Sequence, residues 1–201
     1  MILKDAAKRL CVYFIYDKDG IIDDYIIYQL EDMKKNVSFL HCVINGKLTK
    51  EGIIKLKAVA DEVFERENKG NDIGAYKAAI EYIGWNRISE YDELILMNNT
   101  CFGPVYPFKE AFEWAIKQDV DLWGLTWDTK SDWLGTNKYL HYNKKKYHYQ
   151  SYFLAFRKPL MGGKFLEKFF EEIPNDTNYI MSGSVYEYAF PGYFEEQGYK
   201  C

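Results

Sequence analysis

Short apolar runs alternate along the chain with stretches in which apolar residues recur every three or four positions. Apolar runs of about four to eight residues are typical of buried strands, and the longer spacing is typical of amphipathic helices. The pattern predicts strands at residues 11–16, 37–44, 62–65, 93–97, 122–126 and 152–157. It predicts helices at residues 22–33, 49–57, 73–83, 107–118, 164–172 and 185–197. Strands that alternate with helices predict an α/β fold in which helices flank a mostly parallel central sheet.

Two local signals refine this pattern. Thr49 is the predicted N-cap of the second helix, because its side-chain oxygen can accept a hydrogen bond from a backbone N–H of the first turn. The segment 130–150 is long, polar and aromatic with little periodicity. Irregular loops of this length are uncommon in compact domains, so we predict an ordered functional loop or a β-excursion there.

The loop after the third predicted strand is strongly polar. Residues 66–77 read RENKGNDIGAYK, in which Arg66, Asn68 and Asp72 are interspersed with Gly70 and Gly74. Arginine can pair with phosphate through two N–H groups, amides and carboxylates hydrogen-bond sugars and bases, and glycines permit close backbone approach. Two interpretations remain open: a ligand site, or a helix start at which Asp72 is the cap and Gly70 serves a turn.

A second polar loop follows the fourth predicted strand. Asn98, Asn99 and Thr100 come directly after the apolar run 94–97. Because the carboxyl ends of parallel strands meet at one edge of a sheet, both polar loops are expected to face the same crevice. The alternative is an asparagine-rich turn followed by Gly103-Pro104.

Composition and charge narrow the classes of ligand. The 201-residue chain has a net charge of −4, and its basic residues are scattered except for the lysine run 144–146. The basic surface expected of a nucleic-acid-binding protein is therefore missing. The 18 tyrosines and 5 tryptophans suit a carbohydrate or nucleotide cleft as well as an aromatic core. We predict a sugar or another small molecule as the ligand.

Cysteine usage and hydropathy bear on location. The four cysteines lie far apart without a C-x-x-C pair, so the sequence predicts reduced thiols and no zinc site. No apolar run approaches the length of a membrane span, and residues 1–8 lack the apolar segment of a secretory signal. We predict a cytoplasmic protein in which the lysine run 144–146 is either a solvated charge cluster or a peripheral contact with the membrane.

Four motifs, in a fixed order, carry a resemblance to a known family. They are RENKGNDIGAYK, YDELILMNNTCFGPVYPF, DLWGLT and HYQSYFLAFRK. Across residues 9–199 the chain resembles the rhamnan synthesis F family of bacterial cell-wall and O-antigen polysaccharide glycosyltransferases. The resemblance implies a single Rossmann-like nucleotide-diphospho-sugar transferase domain of the A type over residues 1–201. It also implies transfer of rhamnose from dTDP-rhamnose to a glycan or a lipid-linked glycan acceptor.

Two alternatives to a complete, active transferase stay open. The first is a catalytically inactive glycan-binding or scaffolding module in wall-polysaccharide assembly. The second is that the 201 residues are one module of a longer transferase. Hydrolysis or transfer of a nucleotide sugar by the purified chain discriminates the active enzyme from the inactive module.

The family's motifs imply a set of donor-binding residues. Those of the first motif are Arg66, Asn68, Gly70, Asp72, Gly74 and Tyr76. Tyr16 and Asp17, at the end of the first predicted strand, occupy the usual place for base recognition in this architecture. Asn98, Asn99 and Thr100 stand where the family usually shows Asn-Asp-Ser, the place of an acidic metal-binding motif. Asn99 offers a neutral carbonyl oxygen, a poorer ligand for Mg²⁺ or Mn²⁺, so metal dependence is in doubt, with Asn99 and Asp72 as the candidate ligands.

Sugar transfer needs positive charge near the departing nucleoside diphosphate and, if configuration inverts, a base for the acceptor hydroxyl. Glu187 is the preferred base because SGSVYEY, at residues 182–188, matches a late acidic motif of the family. The competing interpretation is an exposed carboxylate near the start of the last helix. Asp128 and Asp132 are the other candidate bases. The candidate cations are Arg66, Lys77 and Arg157.

The fourth motif and the tryptophans supply candidates for acceptor binding. His148, Gln150 and Ser151 lie in that motif and are implied to reach the acceptor or the diphosphate, although a hydrogen-bonded structural histidine is the alternative for His148. Trp127 and Trp133 lie in loop-like context and are candidates to stack on sugar faces.

Overall fold

A six-stranded sheet forms the centre of the protein. The computed structural model describes residues 7–129, 147–174 and 187–201. Its strands, in chain order, are β1 (Arg9–Tyr16), β2 (Phe39–Asn45), β3 (Glu62–Arg66), β4 (Glu93–Asn98), β5 (Leu122–Gly124), β6 (Trp127–Asp128), β7 (His148–Tyr149) and β8 (Phe153–Arg157). The sheet has the order β3-β2-β1-β4-β8-β5, and β6 pairs with β7 in a separate ribbon.

Strand direction creates a crevice at one edge of this sheet. The strands β1, β2, β3 and β4 run parallel, whereas β8 runs antiparallel to both β4 and β5. The prediction of a mostly parallel sheet in an α/β fold is confirmed. The chain moves outward from β1 to β3 and then returns to the other side of β1 as β4. Loops that leave the carboxyl ends of the strands diverge at such a reversal and leave room for a ligand.

Helices cover both faces of the sheet. Those in the described ranges are α1 (Asp24–Lys34), α2 (Lys50–Lys57), α3 (Asn71–Ile83), α4 (Trp85–Ile88), α5 (Phe108–Ala115), α6 (Lys158–Met161), α7 (Lys164–Glu171) and α8 (Phe190–Glu196). As predicted, Thr49 caps α2, since its side-chain oxygen accepts a hydrogen bond from Gly52 N at 3.0 Å. None of the helices in these ranges is long and apolar enough to cross a membrane.

Two helix ends differ from the prediction by three residues or more. Residues 185 and 186 of the predicted last helix lie outside the described residues, and α8 begins at Phe190, with Pro191 in its first turn, where a missing N–H costs no helical hydrogen bond. The helix α5 ends at Ala115 instead of residue 118. There the guanidinium of Arg157 donates to the carbonyl oxygens of Ala115 and Gln118, and the Ala115 oxygen also accepts from Gln118 N at 2.9 Å.

Alternation along the strands sorts the core into two layers. Val12 faces the layer of α3, α7 and α8, and the next residue, Tyr13, faces the layer of α1 and α5; both are fully buried. Cys11 and Cys42 lie in the second layer, and burial raises the pKa of both thiols, so they stay protonated and act as small apolar groups. All four cysteines fall within the described ranges, and each is a free thiol.

The amino-terminal edge of the sheet is held by a buried network around Glu93. Its carboxylate accepts hydrogen bonds from Arg9 Nε at 2.9 Å, Trp123 Nε1 at 2.8 Å and Arg157 Nε at 3.3 Å. Arg157 is fully buried, and its remaining N–H groups donate to backbone carbonyl oxygens at and after the end of α5. Arg157 therefore stabilises the edge opposite to the crevice, and the prediction that it offsets charge on a leaving diphosphate is wrong.

Lys77 is also engaged within the fold. Its ammonium group donates hydrogen bonds to the carbonyl oxygens of Ile173 at 2.6 Å and Glu171 at 3.2 Å, at the carboxyl-terminal end of α7. The ammonium therefore fastens α7 to α3 and is turned away from the crevice. Of the three cations suggested by the sequence, Arg66 is the one that lies at the carboxyl-terminal edge.

Candidate functional site

Polar loops from different parts of the chain meet at the carboxyl-terminal edge of the sheet. Asn98, the last residue of β4, donates from Nδ2 to Asp72 Oδ2 at 3.5 Å, and Ser151 Oγ donates to the same oxygen at 2.9 Å. The side-chain oxygen Oδ1 of Asn98 in turn accepts hydrogen bonds from the backbone N–H and the hydroxyl of Thr100. The two loops that the sequence predicted to converge therefore share one site at the reversal of strand order.

Ser151 bridges two carboxyl groups at this site. Its Oγ lies 2.9 Å from Asp72 Oδ2 and 2.7 Å from Glu187 Oε2. A hydroxyl has one proton to donate, so two ionised carboxylates at these distances would leave one close O···O contact without a proton. The three groups are satisfied together when Glu187 is protonated and donates to Ser151 while Ser151 donates to Asp72. The arrangement therefore binds one extra proton.

The surroundings of Glu187 favour its protonated form. Burial raises the pKa of Glu187 to about 7, and the nearby charge of Asp72 adds to this effect, whereas the hydrogen bonds with Ser151 oppose it. The side chain of Glu187 is only 16% exposed, which overturns the interpretation of Glu187 as an exposed carboxylate at a helix start. A carboxyl group with a pKa near neutrality can take up or release a proton at working pH.

His148 forms one wall beside Glu187. Its ring lies 3.9 Å, between centroids, from the ring of Tyr188, and its Nε2 lies 3.5 Å from Glu187 Oε1 and 3.3 Å from Gln150 Nε2. Burial lowers the pKa of His148, although the charge of Asp128 opposes this shift, so the imidazole is neutral at pH 7. The contact between His148 and Glu187 is therefore a neutral one, and it adds no positive charge that would lower the pKa of Glu187.

Asp128, the second predicted base, lies across the ribbon from His148. The register pairs Asp128 of β6 with His148 of β7, and the Asp128 carboxylate accepts a hydrogen bond from Thr129 N at 2.6 Å. Trp127, its neighbour, is exposed. Asp132 and Trp133, the other predicted base and stacking residue, lie outside the described residues, as does the lysine run 144–146.

The loop after β3 is organised by a residue that the sequence did not single out. Arg66 donates from Nη1 to Asn45 Oδ1 at 2.5 Å and to the carbonyl oxygen of Lys69 at 2.8 Å. Asn45 then donates from Nδ2 to Asn68 Oδ1 at 3.2 Å. Asn45 is buried at the carboxyl end of β2 and links Arg66 to Asn68. Its position directly after the predicted strand 37–44 is the available signal, but asparagine followed by glycine is also typical of a turn.

The start of α3 lies against the same loop. Gly70 is its N-cap residue and has a left-handed backbone, with φ of +73°, which glycine adopts without strain. Gly74 packs closely on the loop, since a Cβ at this position would lie 3.0 Å from the carbonyl oxygen of Lys69. Asp72 stands inside the first turn, so the alternative in which Asp72 is the N-cap is wrong. The amino-terminal end of α3 carries the partial positive charge of the helix dipole, which suits an anion.

Tyr76 is placed behind the site instead of in it. Its ring is fully buried, and its hydroxyl donates to the carbonyl oxygen of Ser151 at 3.1 Å. Burial raises the pKa of Tyr76 far above its usual range, so the hydroxyl remains a donor. The structure thus gives Tyr76 a positioning role under Ser151, and no ring surface is left for the direct ligand contact that the sequence predicted.

The remaining predicted residues frame the crevice. Asp17 accepts hydrogen bonds from Asp19 N and Ile21 N, each at 2.9 Å, and so closes the loop after β1, while Tyr16 is half exposed at the end of that strand. Asn99 is turned toward α1, where its Nδ2 lies 3.4 Å from the hydroxyl of Tyr25.

The predicted metal ligands do not fit a metal site. Asp72 Oδ2 accepts from Ser151 and Asn98, whereas the Asn99 amide is directed at Tyr25. Among the described residues, no group of three or more His, Cys, Asp or Glu side chains is arranged to hold a metal ion. Asp72 and Asn99 therefore do not form a ligand pair as the sequence proposed.

Comparison with solved structures defines the class of fold. HddC from Yersinia pseudotuberculosis superposes with a TM-score of 0.50 at 14% identity, over 86% of this chain and 83% of that one. A 4-diphosphocytidyl-2C-methyl-D-erythritol synthase superposes with a TM-score of 0.52 at 12% identity, over 98% and 87% of the two chains. With its crevice at the reversal of strand order, the protein has the Rossmann-like nucleotide-diphospho-sugar transferase fold.

Sequence comparison defines the family within that class. The family model of rhamnan synthesis protein F matches residues 40–201, and the chain belongs to this family. Virulence protein VirA of Vibrio anguillarum is 24% identical over 204 residues, which cover 98% of this chain and 59% of VirA. The uncharacterized protein y4gN of Sinorhizobium fredii is 24% identical over 89% of this chain and 44% of its own length. The chain thus spans about three-fifths or less of these curated relatives.

Proposed function

We propose that this protein is a glycosyltransferase that moves a sugar, rhamnose from dTDP-rhamnose, to a cell-surface polysaccharide or its lipid-linked precursor. The observation that carries the proposal is the proton-sharing arrangement of Asp72, Ser151 and Glu187 at the reversal of strand order. A buried carboxyl group with a pKa near 7 is suited to accept a proton from a sugar hydroxyl. Membership in the rhamnan synthesis protein F family supports the choice of rhamnose.

In the proposed reaction Glu187 is the general base of an inverting displacement. The ionised carboxylate takes the proton of the acceptor hydroxyl while the hydroxyl oxygen attacks the anomeric carbon of the donor sugar. The bond from that carbon to the diphosphate oxygen breaks, and the nucleoside diphosphate leaves with the electron pair. After the transfer Glu187 is protonated and donates to Ser151, while Ser151 donates to Asp72, so the proton that Glu187 accepts completes the hydrogen bonding of the three groups.

The donor is proposed to lie across the loops after β1, β3 and β4. Tyr16 and Asp17 stand where the base would be recognised. Asn98, which donates to Asp72, and Thr100, which donates to Asn98, stand where the donor sugar would lie. The guanidinium of Arg66 and the positive end of the α3 helix dipole would offset the charge of the diphosphate. Such preorganised donors act without a metal ion, and no step of the proposed reaction depends on one.

The acceptor side and the location are also parts of this proposal. Trp127, His148 and Gln150 lie on the ribbon beside Glu187, where an acceptor would approach. Asp128 lies on the same ribbon, but its carboxylate is engaged with Thr129 N, which makes Glu187 the better base. We place the enzyme in the cytoplasm at the inner face of the membrane, where nucleotide sugars and lipid-linked glycans meet.

Calorimetric titration with dTDP tests the proposal. We expect wild-type protein to bind dTDP in the micromolar to millimolar range and Asp72→Ala to abolish binding, because Asp72 fixes both Asn98 and Ser151. Asn68→Ala should weaken binding about tenfold, since it removes one hydrogen-bonding side chain from the loop. The matched control is Asn86→Ala, an exposed amide on α4, which should bind dTDP like the wild type.

Failure of the wild type to bind dTDP, UDP or GDP would refute the transferase proposal. Binding of dTDP without hydrolysis or transfer of dTDP-rhamnose would favour the other function predicted from the sequence, an inactive glycan-binding or scaffolding module. One preparation of the protein serves for both measurements: calorimetry gives the binding of dTDP, and the release of dTDP from dTDP-rhamnose over time gives hydrolysis or transfer.

A further inference from the structure

A second cavity opens beside the candidate site, on the face of the sheet that carries α1 and α5. Its volume is about 340 Å³, within the range of about 300–1,000 Å³ that small-molecule sites occupy. We call it the Tyr106 groove; its lining includes Gln29, Met97, Phe102, Tyr106, Glu110 and Tyr152.

The Tyr106 groove opens at the same carboxyl-terminal edge of the sheet as the transfer site. Met97 immediately precedes Asn98, and Tyr152 immediately follows Ser151, so two lining residues adjoin residues of the proton-sharing site. Tyr25 connects the groove lining to the loop after β4. The ring of Phe102 packs on Tyr25 at 4.3 Å between centroids, and the Tyr25 hydroxyl donates to the carbonyl oxygen of Asn99. An extended ligand lying in the groove would therefore reach the edge at which transfer is proposed.

Aromatic surface dominates the mouth of the groove. Phe102 is 79% exposed and Tyr106 is 72% exposed, although rings of this size are normally buried in a soluble protein. Polar groups are few and placed between the rings: the Gln29 amide, the Glu110 carboxylate and the Tyr152 hydroxyl, which lies 2.6 Å from Thr126 Oγ1. Apolar faces with a few hydrogen-bonding groups suit a ligand that has both C–H faces and hydroxyl groups.

The charge of the lining disfavours an anionic ligand in the Tyr106 groove. In the part of the chain that the structure describes, no lysine or arginine lines the groove, and its charged lining residue is Glu110. A phosphate or diphosphate in the groove would find no counter-charge and would face a carboxylate of the same sign. A neutral saccharide meets no such penalty, and its hydroxyl groups can donate to the Glu110 carboxylate.

We propose that the Tyr106 groove binds the neutral saccharide end of the acceptor and holds it beside the transfer site. This inference rests on the proposed transferase function. It adds to the acceptor contacts proposed for Trp127, His148 and Gln150 a place where the rest of the growing glycan is held. The phosphorylated or lipid part of an acceptor would then lie outside the groove. The rings of Phe102 and Tyr106 supply contact area, while Glu110 and Tyr152 fix orientation.

The test uses a neutral α-L-rhamnose trisaccharide as the probe, titrated by calorimetry and by ligand-observed NMR. Tyr106→Ala should weaken trisaccharide binding about tenfold, through loss of aromatic contact area. Trp114→Ala is the matched control, because Trp114 is an exposed aromatic residue on α5 that does not line the groove, and its binding should equal that of the wild type. The affinity for dTDP should be the same in all three proteins.

Several results would overturn the proposal. Equal trisaccharide binding by Tyr106→Ala and Trp114→Ala would do so, as would no trisaccharide binding by wild-type protein that binds dTDP. Displacement of the probe by farnesyl phosphate, or a wild-type dimer that Tyr106→Ala converts to a monomer, would assign the groove to a lipid or to a second copy. Tyr106-dependent trisaccharide binding without any dTDP binding would support the groove while refuting the transferase.

Discussion

The two edges of the sheet use the same kinds of side chain in opposite ways. At the amino-terminal edge, the Glu93 carboxylate accepts hydrogen bonds from Arg9, Trp123 and Arg157 and is almost completely buried. At the carboxyl-terminal edge, Asp72 and Glu187 share the hydroxyl of Ser151. The first arrangement pairs one carboxylate with two guanidinium groups. The second places two carboxyl groups around one hydroxyl, and the pKa of Glu187 is raised to about 7, so Glu187 changes charge near neutral pH.

Cavities at the two edges repeat this difference. The cavity at the amino-terminal edge, at about 550 Å³, is larger than the Tyr106 groove, and Arg9, Lys35 and Lys109 are among its lining residues. These cations already have acidic partners: Lys35 lies 3.5 Å from Asp32, and Lys109 lies 3.4 Å from Glu113. The size of this cavity and its lysine and arginine side chains would suggest an anion site at the amino-terminal edge. Because these cations are already paired with carboxylates, we interpret them as structural, and we place the candidate site where Asp72 and Glu187 share the hydroxyl of Ser151.

The largest expected effect comes from breaking the amino-terminal edge. Arg157→Met removes the guanidinium donor from the carbonyl oxygens of Gln118 and Val120 and takes one cation away from the buried Glu93. Removing one partner of a buried network costs about 3–5 kcal/mol in the free energy of unfolding. Urea denaturation measures this loss. The control is Lys158→Met, whose ammonium is half exposed and whose loss should change stability by less than about 0.5 kcal/mol.

The next effect belongs to the carboxyl-terminal edge and appears in activity. Glu187→Gln removes the proposed base, and we expect turnover of dTDP-rhamnose to fall by about 10²–10⁴-fold while dTDP affinity is retained. Glu113→Gln, an exposed glutamate at the other edge, serves as the control and should keep full turnover. Unchanged turnover in Glu187→Gln would remove Glu187 from the mechanism.

A third effect links the pKa of Glu187 to stability. Burial raises this pKa from an ordinary value of 4.5 to about 7, so between these values the folded protein keeps a proton that the unfolded chain has released. The stability contributed by this group is therefore lost as pH rises through that window, by up to about 3 kcal/mol. Urea denaturation from pH 4.5 to pH 8 should show a steeper decline for the wild type than for Glu187→Gln. Parallel curves would mean that Glu187 titrates normally.

The smallest predicted effect isolates the bridging hydroxyl. The activity kcat/KM should rise with pH as the proposed base Glu187 ionises. Because the hydrogen bonds with Ser151 lower the pKa of Glu187, Ser151→Ala should move this rise to a higher pH. We expect turnover at neutral pH to fall by about tenfold, which corresponds to one hydrogen bond to a charged group. A drop in turnover with no displacement of the pH profile would mean that Ser151 only supports the local fold.

Much of the fold followed from periodicity and from the geometry of parallel sheets. The apolar runs at β1 and β4 and the cap at Thr49 were predicted because each depends on neighbouring residues alone. The meeting of Asp72 with Asn98 was expected because the carboxyl ends of parallel strands share an edge. The choice of rhamnan synthesis protein F as the family came from ordered motifs, and the family comparison confirms it.

Other features of the site depend on contacts that no local pattern encodes. Ser151 and Glu187 are 36 positions apart, and their contact depends on how β8 and α8 pack. Arg157 ends an apolar strand, a position that suggested an accessible cation, but the antiparallel direction of β8 carries it to the opposite edge. Asn45 was overlooked because asparagine before glycine is typical of a turn, whereas here it also ends a buried strand.

A crystal structure of the complex with dTDP tests the central claim most directly, since it compares the two edges in one measurement. The account predicts the diphosphate at the carboxyl-terminal edge, against Asn68 and the start of α3 and within reach of Asn98. A diphosphate bound instead in the amino-terminal cavity, beside Arg9, Lys35 and Lys109, would contradict it.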